Sequence, residues 1–178
     1  WALGDVLIAD SRITRNKTRF KGGGVHAEGA VTLDACHVAR NKARRNGGGV
    51  FAISDSGNAR PLIMSCVIRG NHARAGGGVT QADGVIAQSR IRGNRARRQG
   101  GGVEVAGGIV EDTMFSGNRA RSGGGAFAVL DTVITGCTFT GNRARIGGAA
   151  HVSYDARLIG SACLTNRART GGGIACVS

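Results

Sequence analysis

Phe115-Ser-Gly-Asn118-Arg-Ala-Arg-Ser-Gly123-Gly-Gly-Ala-Phe127 is one copy of a pattern that returns along the whole chain. The asparagine recurs as Asn16, Asn41, Asn71, Asn94, Asn118, Asn142 and Asn166, and a glycine run follows each one after five or six residues. The runs begin at Gly22, Gly47, Gly76, Gly100, Gly123, Gly147 and Gly171, in steps of 25, 29, 24, 23, 24 and 24 residues. Such a period marks stacked repeats, in which each unit contacts only its neighbours and the core grows as a line.

Outward from that stretch, apolar and polar residues alternate before each Asn and again after each glycine run. Gly84-Val-Ile-Ala-Gln-Ser-Arg-Ile-Arg-Gly-Asn94 and Gly100-Gly-Gly-Val-Glu-Val-Ala106 show it well. Period-2 alternation of β-branched residues predicts strands, and no stretch carries a helical period. Stacked on the Asn, the coils form columns. Three residues earlier stand Ile13, Val38, Ile68, Ile91, Phe115, Phe139 and Cys163; eight earlier stand Ile8, Leu33, Ile63, Ile86, Val110, Ile134 and Leu158. Five earlier the residues are small: Ser11, Cys36, Cys66, Ser89, Thr113, Cys137 and Ser161. These are inward-facing stacks. The fold class is therefore all-β, a parallel β-helix of about seven coils with roughly 24 residues and three short strands each, as one domain over 1–178. Glycine suits corners that need positive φ or close backbone approach. Asparagine tolerates the left-handed region and can hydrogen-bond up and down its own column.

The motifs resemble the polymorphic outer membrane protein repeat of autotransporter-like surface proteins. Phe115-Ser-Gly-Asn118 and Phe139-Thr-Gly-Asn142 match its Phe-x-x-Asn motif, and Ile68-Arg-Gly-Asn71 and Ile91-Arg-Gly-Asn94 match with another apolar residue. Gly76-Gly-Gly-Val79, Gly147-Gly-Ala-Ala150 and Gly171-Gly-Gly-Ile174 match its glycine motif. The likeness covers all seven coils. It implies a right-handed parallel β-helix and an exported or cell-surface passenger, on the bacterial outer surface, with a structural or adhesive role. The family's membrane barrel has no counterpart in this chain, and the segment after each Asn is more basic than the motif demands.

That basicity is systematic. The formal net charge is +13, and 16 of the 24 Lys and Arg fall between an Asn and its glycine run, where no Asp or Glu occurs. Directly after the Asn come Lys17, Lys42, His72, Arg95, Arg119, Arg143 and Arg167. Three after it come Arg19, Arg44, Arg74, Arg97, Arg121, Arg145 and Arg169. Between them lies Thr18 and then Ala43, Ala73, Ala96, Ala120, Ala144 and Ala168, expected to point inward so that both basic columns point out. Acids gather elsewhere, as Glu28, Asp55, Asp83, Asp131 and Asp155 past the post-glycine strand. Two unit charges one rung apart repel by roughly 0.9 kcal/mol in water, which a bound anion would relieve. The expected partner is an acidic polysaccharide, a lipopolysaccharide or another polyanion laid lengthwise on the Arg and Lys columns. Nucleic acid fits less well, because the seven aromatics do not interleave with the arginines. A duplicated corner with an arginine bias is the bland alternative.

The other function classes have thinner support. A carbohydrate-active enzyme (polysaccharide lyase, hydrolase or epimerase-like) needs clustered acids. Only Glu111-Asp112 are adjacent, one of them expected inward or at a corner, and Asp10, Asp34 and Asp131 are read as off their column. No cofactor, zinc pattern or phosphate loop is indicated, since the glycines lack a following Lys-Ser or Lys-Thr. Thr residues are scattered rather than in rows, against ice binding. Cys36 and Cys66 share a column in successive coils, within reach of a disulfide, although buried free thiols fit better. No apolar run is long enough for a transmembrane helix. Both ends open directly into the repeat, so the chain reads as a piece of a longer array whose exposed edges invite end-to-end association with another copy.

Overall fold

The structure, a computed structural model, describes residues 6–54 and 60–177. Asp55 lies outside the described residues. Among them the chain forms short strands and turns, with no helix. The fourth coil holds Val85–Ala87, Arg90–Arg92, Arg95–Ala96 and Val103–Ala106. The first, second and last pair, parallel and in register, with the same segment of the coils on either side, while Arg95–Ala96 pairs with His72–Ala73 and meets the fifth coil in the single bridge Arg95–Arg119. Three seven-stranded sheets result. Sheet 1 runs from Val6–Ala9 to Arg157–Ile159, sheet 2 from Arg12–Thr14 to Ala162–Leu164, and sheet 3 from Val25–Glu28 to Ile174–Val177. The molecule is a parallel β-solenoid of about seven turns. The expected three strands per coil gain a fourth segment of two residues in the first four coils, and it falls on the basic stretch.

The core is the set of columns read from the sequence. Val38, Ile68, Ile91, Phe115 and Phe139 are cross-strand neighbours with 0% exposure. Burial of each such side chain contributes about 1.5–3 kcal/mol. Phe115 and Phe139 stack with centroids 4.6 Å apart and planes 6° apart, the offset-parallel arrangement that in-register pairing imposes. The small column is a polar ladder. The Cys66 amide donates to Ser89 Oγ, that of Ser89 to Thr113 Oγ1, and that of Cys36 to Cys66 Sγ. All five cysteines are free thiols. Burial pushes the Cys66 thiol up to about 12 and that of Cys137 to about 11.

The Asn corner departs from expectation in one respect. Asn is not the left-handed residue; the one before it is, with φ of 61° at Arg15, 56° at Arg40 and 61° at Gly93. Asn itself turns inward. Each side chain accepts the backbone N–H of the preceding coil's Asn, as Asn118 Oδ1 does from Asn94 at 2.9 Å. Its Nδ2 donates to a carbonyl of the preceding coil, as Asn118 does to Ile91 at 2.8 Å. The glycine run uses both expected properties. Gly100 has φ of 59°, while a Cβ on Gly101 would lie 2.3 Å from the Gly124 carbonyl oxygen and 2.7 Å from the Arg119 backbone. The glycines thus pack backbone to backbone against the basic segment of the next coil.

Candidate polyanion-binding face

The Asn ladder positions the first basic column. The amides of Lys42, His72, Arg95, Arg119, Arg143 and Arg167 each donate to the carbonyl of the preceding coil's Asn at 2.9 or 3.0 Å. Lys17, Lys42, His72 and Arg95 are consecutive register partners, and bridges continue the line through Arg119 and Arg143 to Arg167. All but His72 are exposed. His72 has its pKa lowered by burial first, then by Arg97, Lys42 and Arg95, so one rung is neutral at pH 7.

The second column is stepped. Counted from the Asn it is Arg19, Arg44, Arg74, Arg97, Arg121, Arg145 and Arg169, and the pairing follows that count only in places. The Arg44 amide bonds the Thr18 carbonyl and that of Arg97 bonds Ala73, as the count requires. However, the Arg74 amide bonds Arg45, that of Arg98 bonds Arg74, and that of Arg121 bonds Arg98. Coils one, two and four carry six residues from Asn to the first glycine rather than five, and the extra residue bulges locally. The continuous column is therefore Arg45, Arg74, Arg98, Arg121, Arg145 and Arg169, with Arg19, Arg44 and Arg97 beside it. Arg45 and Arg98 escaped the Asn-based reading; alignment on the glycines reveals them. Arg45 also lies over the Phe20 ring, 5.6 Å from its centroid.

Between the columns runs a trough. One part, of about 560 Å³, is lined by Lys17, Arg19, Lys42, Arg44, His72 and Arg97 with Thr18, Ala43 and Ala73. A second, of about 520 Å³, is lined by Arg119, Arg143, Arg145, Arg167 and Arg169 with Ala120, Ala144 and Ala168. Ala43, Ala73 and Ala96 are buried as expected, while Thr18, Ala120, Ala144 and Ala168 are only half-buried, and none of the column enters the apolar core. Their small size keeps the trough open. Beyond the second column, Arg44, Arg45, Arg74, Arg97, Arg98 and Arg121 border a further hollow of about 620 Å³. Among the described residues the one ion pair is His26–Glu28, at 3.3 Å, so no carboxylate neutralises these cations at contact.

The acids lie elsewhere. Asp112 is the corner member of the Glu111-Asp112 pair, with φ of 44°. Contrary to the sequence reading, Asp34 does share a column with Glu111, through Met64 and Ala87, three rungs away. Asp10 likewise occupies the corner position of Asp112, four coils earlier, also with positive φ. At a rung of about 4.8 Å neither arrangement brings two carboxylates onto one substrate atom. Glu104, on the outer face of sheet 3, accepts from Thr80 Oγ1 at 3.0 Å and Asn46 Nδ2 at 3.3 Å, and burial raises its pKa. His26 and His151 share its column, and His151 Nδ1 meets Ser122 Oγ at 2.7 Å. No group of three metal-ligating side chains occurs among the described residues. Likewise no described helix is long and apolar enough to cross a membrane. Compared with protein-family models, with curated proteins and with solved structures, the chain matches none of them.

Proposed function

We propose that this β-solenoid is a structural or adhesive module of an exported or cell-surface protein, and that its basic trough holds an acidic polymer lengthwise. The observation that carries the reading is the ladder from Lys17 to Arg167, paired in register, cationic at every rung but His72, and with no described carboxylate at contact distance. A guanidinium column spaced at about 4.8 Å per rung offers forked donors to carboxylate, sulfate or phosphate at each step. An acidic polysaccharide or lipopolysaccharide suits it, because one rung is close to the length of one sugar in an extended chain. The likeness of the repeat to polymorphic outer membrane proteins supports surface display. A hydrolase or lyase would need acids that converge, and the pairs described above are rungs apart.

The test is binding of polygalacturonate and dextran sulfate at two salt concentrations, for the native chain and for Arg119→Gln/Arg143→Gln/Arg167→Gln. Affinity is expected to fall by at least about tenfold between low and physiological salt, with a shallower salt slope in the variant. Affinity indifferent to both salt and variant would refute the proposal.

A further inference from the structure

Eight Lys and Arg fall outside the Asn-to-glycine segments, and six of them, Arg12, Arg15, Arg40, Arg69, Arg90 and Arg92, lie on or beside the outer face of sheet 2. All six belong to the first four coils. In the later coils the register partners of Arg92 are Ser116 and Thr140, and those of Arg90 are Met114 and Thr138. The basic surface is therefore broad at one half of the rod and a single trough at the other.

Within the broad half, Arg40, Arg69 and Arg92 border a hollow of about 530 Å³ with Gly70, Gly93, Ser116 and Gly117. Arg69 and Arg92 are direct register partners, and the Arg40 amide bonds the Arg69 carbonyl at 3.0 Å. A Cβ on Gly93 or Gly117 would meet nothing within 4 Å, and one on Gly70 would meet only Arg40 Cγ at 3.7 Å, so the floor is open. Arg69 Nε donates to His37 Nε2 at 3.1 Å. That bond holds the guanidinium in place and leaves its outer nitrogens available. It requires a neutral imidazole, and burial together with Arg69, Arg12 and Arg92 lowers the His37 pKa.

We propose that this hollow is a second anion subsite, separate from the trough, for a tetrahedral oxyanion group: a sulfate ester or a phosphate monoester. Three guanidinium groups around one hollow can meet oxygens pointing in three directions, whereas a planar carboxylate presents two. A polymer or branch bearing such a group would be held only along the first four coils, so a ligand in the trough would acquire a fixed direction. The subsite stands independently of polymer binding in the trough.

The experiment uses inorganic sulfate and inorganic phosphate, with acetate at matched ionic strength, and follows the arginine Nε–Hε resonances. Saturating shifts at Arg40, Arg69 and Arg92 are expected with sulfate or phosphate and not with acetate. Arg69→Gln/Arg92→Gln should weaken binding about a hundredfold, tenfold for each lost charged hydrogen bond, while Arg157→Gln, on sheet 1, leaves it unchanged. Dextran sulfate and phosphorylated dextran, which bear sulfate esters and phosphate monoesters respectively, then distinguish the two sources: loss of affinity for either on the Arg69→Gln/Arg92→Gln change supports the subsite. Equal shifts with acetate, shifts confined to the trough arginines with none that saturate at Arg40, Arg69 and Arg92, or no loss with either polymer would overturn it.

Discussion

Asn118→Ala should be among the most damaging single substitutions on the rod. Asn118 is fully buried and makes four side-chain hydrogen bonds. Its Oδ1 accepts from the Asn94 amide at 2.9 Å and from Asn94 Nδ2 at 3.2 Å. Its Nδ2 donates to the Ile91 carbonyl at 2.8 Å and to Asn142 Oδ1 at 3.1 Å. Alanine strands the buried Asn94 N–H, which costs about 1–3 kcal/mol. Asn94 Nδ2 keeps its bond to Ile68, and Asn142 Oδ1 keeps the Asn118 amide, so those losses are partial. Adding about 0.5–1 kcal/mol for each of the three remaining bonds brings the total to about 2.5–6 kcal/mol. Urea unfolding followed by circular dichroism measures the sum. Because coils contact only their neighbours, hydrogen exchange should accelerate first at the amides of Asn94 and Arg119. Asn118→Asp should also destabilise at neutral pH, by facing a carboxylate oxygen toward the Ile91 carbonyl, and should recover as acid protonates it. A loss below about 1 kcal/mol for Asn118→Ala, with exchange unchanged, would refute the idea that this ladder holds the register.

Gly101→Ala and Gly117→Ala separate the two uses of glycine. The first drives a Cβ to 2.3 Å from the Gly124 oxygen and should disrupt the coil; the second meets open space at φ of 60° and should cost about 1–2 kcal/mol in urea unfolding. Cys66, 1% exposed with its thiol near 12, should resist alkylation at pH 8 until the protein unfolds, whereas exposed Cys176 labels at once. Equal labelling rates would contradict the burial described. His37, His72 and His151 have lowered pKa values, chiefly from burial, so the folded state binds fewer protons than the unfolded chain. Their contribution is present above about pH 6.5 and is lost as pH falls below it, and His37→Gln/His72→Gln/His151→Gln should flatten the Tm drop between pH 7.5 and 5. Glu104 has the opposite sign: its pKa is raised, its stability is full below about pH 4.5 and declines as pH rises through the folded value. Glu104→Gln should therefore raise Tm at pH 7 relative to pH 4.

The architecture was readable in the chain because a solenoid repeats its own constraints. Each coil needs an inward residue at the same offset from Asn, so Val38, Ile68, Ile91 and Phe115 announce a column before any coordinates exist. The same logic placed Lys42, His72, Arg95 and Arg119 side by side, since their amides bond the neighbouring Asn carbonyls and no inserted residue shifts them. Where a coil carries one residue more, counting from a single landmark fails. In coils two and four the extra residue can bulge on either side of the arginine that pairs with Arg74, and hydrogen-bond partners alone decide that Arg45 and Arg98 continue the line. Left-handed backbone at Arg40 rather than Asn41 was also beyond reach, because it depends on the Asn side chain turning inward to meet amides of another coil. The hollow beside Arg69 had no sequence signature, for its members come from four coils and its floor from glycines whose missing side chains face open space. Periodic constraints are written locally and survive in one dimension; the step of a column and the shape of a hollow arise from contacts between coils.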